Sequence, residues 1–125
     1  MNRDLILPDS NIVLDALNQD PAIYTFVNQK RLAICFVTEM ELLGWKGMTA
    51  SNKKILQQFF QACLYIDYNC QIRQQTIWLR PRYSMKLADA FIAASSIEFD
   101  IPLISADRDF EKIKELNLIH IAPNL

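Results

Sequence analysis

The sequence predicts an α/β protein, a three-layer α/β/α sandwich around a mainly parallel central sheet. Three observations carry that expectation. Short apolar runs alternate with amphipathic segments to the end of the chain, the pattern of strands joined by helical crossovers. The run "RLAICFV" is continuously apolar, as a strand buried on both faces must be. No linker, repeat or low-complexity stretch divides the 125 residues, and 51% of them are hydrophobic, so residues 1–125 are expected to form one domain with a substantial core.

The elements follow in order. "DLILPD" (4–9) reads as a short buried strand, with Pro8 acceptable only near its end. "SNIVLDALNQ" reads as a helix with Ile12, Val13, Ala16 and Leu17 on one face. "DPAIYTFVNQK" supplies Asp20 as N-cap and Pro21 at the first helical position. "RLAICFV" (31–37) is the second strand, and "TEMELLGWKG" opens a helix that Gly44 and Gly47 loosen. In "SNKKILQQFFQACL" the spacing puts Ile55, Phe59, Ala62 and Cys63 on one helical face. "YIDY" is a third strand, and "CQIRQQTIWLRPRY" is helical until Pro81 breaks or kinks it. "LADAFIAASSIEF" is a nearly all-apolar helix, hence buried. "IPLIS", "DRDFEKIKEL" and "LIHIA" complete the chain as strand, helix and strand.

Composition excludes several classes of function. With two glycines, Gly44 and Gly47, three apart and followed by Met48, neither G-x-G-x-x-G nor the P-loop pattern can be written, so classical dinucleotide and P-loop sites are absent. No apolar run reaches the length of a membrane span, and the acids of "MNRDLILPDSN" rule out a signal peptide. Three cysteines, Cys35, Cys63 and Cys70, form no C-x-x-C pair and fit a reducing cytoplasm better than a disulfide framework. The lone His120 has no partner for metal or catalytic work nearby in sequence. Net charge is −1, but residues 1–41 hold three bases against six acids, residues 42–88 seven bases against one acid, and residues 89–125 three bases against seven acids. A basic middle between acidic ends is the pattern of a polyanion-contacting surface beside a cation-binding cluster, or of ordinary solvated helix faces.

The acids are placed by the predicted sheet. Asp9 ends the first strand, Glu41 lies in the first turn of the third helix, Asp89 opens the apolar helix, and Asp107 and Asp109 follow "IPLIS". In a parallel sheet all such positions share one edge, where ligands bind. Each acid taken singly also serves as a helix cap or a dipole partner, worth about 0.3–1 kcal/mol. "TEME" in particular is a capping box, with Thr38 as N-cap and Glu41 three residues on. Four carboxylates together repel: a unit-charge pair at about 4 Å costs on the order of 4 kcal/mol at an effective dielectric of about 20. A divalent cation offsets that repulsion, and oxygen-only ligands select Mg2+ or Mn2+ over zinc.

"LPDSN" (7–11), "VTEMELL" (37–43), "KLADAFIAASS" (86–96) and "LISADRDFEKI" (103–113) together resemble the four acidic motifs of PIN-domain proteins, in order and at similar spacing. The closest likeness is to VapC-type toxins of toxin–antitoxin pairs. The resemblance implies a PIN-like α/β/α fold and a metal-dependent endoribonuclease that cleaves RNA by metal-activated water. It maps Asp9, Glu41, Asp89 and Asp107 onto the metal-binding, catalytic acids, with Asp109 as the alternative to Asp107, because some members keep the later acid before Phe. Ser10 stands where Thr is commoner and keeps the hydroxyl for Asp9 or a phosphate, and Asn11 is retained. Glu39 is not the motif acid; two residues from Glu41 on a helix, it points elsewhere. Arg80, Arg82, Lys86 and Lys46 from the basic middle are the expected RNA-backbone contacts.

By the same resemblance the partners are an RNA substrate, a cognate antitoxin and a second copy of the chain. The aromatics Tyr24, Phe26, Phe59, Phe60 and Tyr65 either provide surface for such contacts or belong to the core; adjacent Phe59 and Phe60 cannot share one helix face, so one of them is expected to be exposed or at an interface. A phosphate-switch receiver domain also clusters acids at strand ends, but it needs a Lys after a late strand, and none follows "IPLIS" or "LIHIA". A non-catalytic PIN-like binding module, or a PIN nuclease of DNA repair or rRNA processing, would carry the same motifs.

Overall fold

The computed structural model describes residues 4–122. Strands β1 (Leu5–Pro8), β2 (Arg31–Cys35), β3 (Leu64–Ile66), β4 (Leu103–Ser105) and β5 (Leu118–His120) form one sheet in the order β3-β2-β1-β4-β5. Every recorded strand pair is parallel. The helices are α1 (Ser10–Leu17), α2 (Pro21–Asn28), α3 (Phe36–Leu43), α4 (Ala50–Gln61), α5 (Cys70–Tyr83) and α6 (Leu87–Phe99), with a 3-10 helix at Arg108–Lys112.

Period-two alternation along the strands divides the core into layers. Leu5 and Leu7, Ala33 and Cys35, and Leu103 face a cluster built with Ile72 and Leu79 of α5 and Ala90 and Ala93 of α6. The intervening Ile6 and Ile104 face Ile12 and Ile23 of α1 and α2, and Ile34 faces Leu56 and Phe60 of α4. Helices therefore cover both faces, and the three-layer sandwich predicted from sequence is the fold observed.

Chain order fixes the functional edge. The first three strands build outward from β1, then the chain returns to lay β4 on the other side of β1. Strand order reverses between β1 and β4, and in open parallel sheets the crevice at the carboxyl ends of such a pair is where ligands bind. Pro8 is accommodated there despite its central position. The N–H groups of Leu7 and Asp9 bond to β4, at Pro102 O (2.8 Å) and Ile104 O (3.0 Å). The missing donor of Pro8 therefore lies on the β2 side, where β1 pairs only through Leu5 and Ile6.

Four elements differ from expectation. Helix α3 begins at Phe36, because Phe36 and Val37 bury their side chains from a helical first turn, and burial overrides their β preference. Its N-cap is Cys35 with no side-chain cap bond, so Thr38 is not an N-cap and the capping box does not form. On α4 the buried residues are Leu56 and Phe60, whereas Ile55 is 53% exposed. Helix α5 runs through Pro81 to Tyr83 and stops at Ser84 in the left-handed conformation, φ 52°. Pro81 costs one hydrogen bond near the end of the helix, where the loss is least propagated. After β4 the chain forms a 3-10 turn in place of an α-helix. Phe110 and Ile113 are its buried pair, three apart, as a three-residue turn requires.

Candidate active site at the switch-point edge

Asp9 leaves β1 and caps α1: its Oδ1 accepts from Ile12 N at 2.9 Å. Its Oδ2 accepts from the hydroxyl of Ser105, the last residue of β4, at 2.5 Å. The same Ser105 oxygen accepts from Asp107 N at 3.0 Å, and Asp107 Oδ1 accepts from Asp109 N at 2.9 Å. A relay of short contacts thus runs from β1 across β4 into the 3-10 turn. Asp9 and Asp107 each cap a helix, and both are bonded to Ser105.

Glu41 sits in the second turn of α3, not the first; Glu39 is the first-turn acid. Glu41 Oε1 accepts from Ser10 Oγ at 2.6 Å, and Ser10 Oγ also lies 3.3 Å from Oγ1 of the fully buried Thr38. Ser10 therefore serves Glu41, not Asp9. Glu39 turns away and accepts from Tyr65 OH at 2.7 Å. Asp89 occupies the first turn of α6, and Glu98 and Asp100 stand at the opposite end. Asn11 is exposed at the second position of α1.

The carboxylates act on one another. Burial raises the Asp9 carboxyl above the usual range, and the charges of Asp107 and Asp89 raise it further; the bonds from Ser105 and Ile12 N oppose the shift. Asp89 is also raised, first by burial, then by Asp107 and Glu41, with Lys86 pulling the other way and Asp109 adding least. Asp107 thus acts on both Asp9 and Asp89, and Asp109 on Asp89. The donor set is all oxygen, the chemistry of a hard divalent cation. Among the described residues, no three His, Cys, Asp or Glu side chains are already gathered into a metal-holding group. Asp89, Asp107 and Asp109 line a cleft whose donors fit such an ion by type, without a preassembled cage.

The predicted basic residues separate. Lys86 caps α6 and lines a cleft of about 120 Å³ with Asp89, Asp107, Asp109 and Lys112. Arg80 donates from Nε to Met85 O at 3.2 Å and borders a different pocket, with Tyr68, Ile77 and Phe91. The Arg82 guanidinium stacks 3.8 Å from the Trp78 ring centroid. Lys46 is exposed in the turn after α3. His120 lies 3.1 Å from Ala106 O and takes a structural place. Phe60 is buried and Phe59 half-buried, and contrary to expectation both pack against the same cluster, with ring centroids 5.8 Å apart.

Sequence reasoning missed two residues. Ser105 is fully buried and holds Asp9, and a hydroxyl closing an apolar strand just before an Asp was the available signal. Lys112 enters the acidic cleft only because the last segment turns as a 3-10 helix, which periodicity did not reveal.

Fold and edge together define a class: a parallel α/β domain with carboxylates converging at its switch point. A PIN domain family model matches residues 6–116, and the chain belongs to that family. No curated protein matches the sequence. Among solved structures, the chain is similar to a toxin–antitoxin complex from Klebsiella pneumoniae, at 24% identity and TM-score 0.80, covering 93% of this chain and 99% of that one. It is similar to VapBC2 from Rickettsia felis bound to a promoter DNA fragment, at 20% identity and TM-score 0.82, over 94% and 99%. VapBC-1 from nontypeable Haemophilus influenzae matches at 20% identity and TM-score 0.80, over 93% and 97%. At these identities the likeness is one of fold. No helix among the described residues is long and apolar enough to cross a membrane.

Proposed function

We propose that the chain is a VapC-type toxin, a metal-dependent endoribonuclease restrained by a cognate antitoxin. The observation that carries this reading is the PIN family match, supported by the electrostatic influence of Asp107 on Asp9 and Asp89 and of Glu41 on Asp89. Asp9, Glu41, Asp89 and Asp107 would hold Mg2+ or Mn2+. Such an ion, when bound, supplies charge for the phosphodiester and makes water a better nucleophile at neutral pH. The raised carboxyls of Asp9 and Asp89 favour that occupant, because ionised acids without a counter-charge are costly at this edge. Ser105 aims Asp9 Oδ2, and Ser10 aims Glu41 Oε1. Asp107 is the better fourth ligand, since its charge acts on both Asp9 and Asp89.

Hydrolysis then needs no side-chain nucleophile; the protein fixes the acids and grips the RNA. Lys86 is the basic residue of the expected set nearest the acids, with Arg80, Arg82 and Lys46 as outer backbone contacts. The similar structures are toxin–antitoxin and VapBC complexes, which supports an antitoxin partner. Exposed Tyr68, Ile77 and Leu87 supply an apolar surface for the second copy of a homodimer. An RNA substrate and three free cysteines fit work in the cytoplasm. Purified protein is expected to cleave RNA with Mg2+ and not with EDTA, and Asp89→Asn to lower the rate at least about 100-fold, the scale of losing one key electrostatic stabiliser. Undiminished cleavage by Asp89→Asn would sink the assignment.

A further inference from the structure

Four ionised acids and one divalent cation still leave two negative charges at the edge, or three with Asp109. A polyanion does not approach such a site unless cations are placed beside it. The arginines of the basic middle do not fill that place: Arg73 borders a different pocket, Arg80 is bonded to Met85 O and Arg82 is stacked on Trp78. Two lysines do. Lys86 stands at the start of α6 and Lys112 at the end of the 3-10 helix, and both line the cleft of Asp89, Asp107 and Asp109. They reach it from different segments, 26 positions apart in the sequence.

Both side chains are exposed, and among the described residues the recorded ion pair is Arg108–Glu111, involving neither lysine. Lys86 acts on Asp89 through its charge without closing a salt bridge. The cleft holds about 120 Å³. That is well below the roughly 300–1,000 Å³ of pockets that enclose drug-sized ligands, so it suits a phosphate group and not a nucleoside.

We propose that Lys86 and Lys112 form a two-lysine clamp for an RNA backbone phosphate next to the acid cluster. The inference rests on the ribonuclease reading and assigns Lys112 a substrate contact. Each ammonium is a compact point charge with rotatable donors, suited to a phosphate that must be released after cleavage. The pair neutralises the two charges left by acids and ion, which lets the backbone settle against the site.

The test is fluorescence anisotropy with a labelled single-stranded RNA, with Ca2+ in place of Mg2+ so that the acids keep a counter-ion, across a monovalent salt series, using the full chain. Lys86→Ala and Lys112→Ala are each expected to weaken binding roughly three- to tenfold and to flatten the log–log salt slope by about 0.7, the value of one phosphate contact on a single strand. Lys112→Arg should restore most of the slope. Lys30→Ala, which removes a cation held over Phe26, should leave the slope unchanged. Thermal melting of each variant confirms that it is folded. If wild type binds and cleaves RNA while Lys112→Ala keeps the full slope, or if Lys30→Ala lowers it equally, the clamp is wrong and the nuclease reading stands. If wild type neither binds nor cleaves RNA, both fall.

Discussion

Replacing Ser105 with alanine removes one hydroxyl from a fully buried position. That hydroxyl donates to Asp9 Oδ2 at 2.5 Å and accepts from Asp107 N at 3.0 Å. A hydrogen bond to an ionised carboxylate is worth about 1.5–3 kcal/mol, and one to a neutral partner about 0.5–1.5 kcal/mol. At neutral pH, without metal, the variant should therefore lose about 2–4.5 kcal/mol. Unfolding entropy of about 2.1 cal/mol/K per residue makes 1 kcal/mol roughly 4 °C for a chain of this length, so Tm should fall by roughly 8–18 °C. The loss depends on pH. Ser105 lowers the Asp9 carboxyl against the larger effect of burial, so its removal raises that carboxyl further. A folded-state carboxyl above its unfolded value costs stability as pH rises through the interval between the two, and costs nothing below both. The deficit of Ser105→Ala should thus be full near neutrality and shrink to about 1–3 kcal/mol, roughly 4–12 °C, once Asp9 is protonated and its bond from Ser105 is a neutral one. Differential scanning fluorimetry in EDTA, stepped from about pH 8 to about pH 4, measures this directly. An equal Tm deficit across the series, or one under about 2 °C near neutrality, would refute the coupling of Ser105 to a charged Asp9.

The same carboxyls govern the unsubstituted protein. Asp9 and Asp89 are both raised, so metal-free stability should decline as pH climbs above the ordinary carboxylate range, and Asp9→Asn should flatten that decline in the same melting series. Mn2+ at about 100 times its Kd should add about 2.7 kcal/mol, roughly 10 °C in Tm, and the gain should disappear in Asp9→Asn; no shift in wild type would argue for an inert site. Asn69 caps α5 by accepting from Ile72 N at 2.9 Å, so Asn69→Ala should cost about 1 kcal/mol in urea denaturation. Pro81→Ala restores an N–H inside α5 and should stabilise by about 1–2 kcal/mol, less than the full helix-interior difference because the unfolded chain gains freedom; a loss of stability would show that the ring packing matters more.

The layers were legible because strand alternation and helical periodicity obey fixed geometry. Leu5 and Leu7 against Ile6 is a split that any parallel sheet covered on both faces enforces. Asp20–Pro21 marked a helix start through local backbone chemistry alone, and the structure keeps it. The shared edge of the acids followed from strand direction. What escaped were choices made by tertiary packing. Phe36 and Val37 read as strand by type, yet burial against the sheet makes them helix. Phe59 reads as the buried face of α4, yet Leu56 and Phe60 point inward, one residue round the helix. Ser105 and Lys112 acquire their roles only through neighbours far along the chain, which no local pattern encodes.

The contact between Asp9 and Ser105 joins residues 96 positions apart. At synthesis rates of about 5–20 residues per second, roughly 5–20 s separate the translation of the first from that of the second. During that interval β1 has no β4 beside it, and Asp9 and Glu41 have neither Asp89 nor Asp107 as companions until the last third of the chain has emerged. The acid edge is therefore complete only late in synthesis, when β4 and the segment after it have emerged and packed against β1.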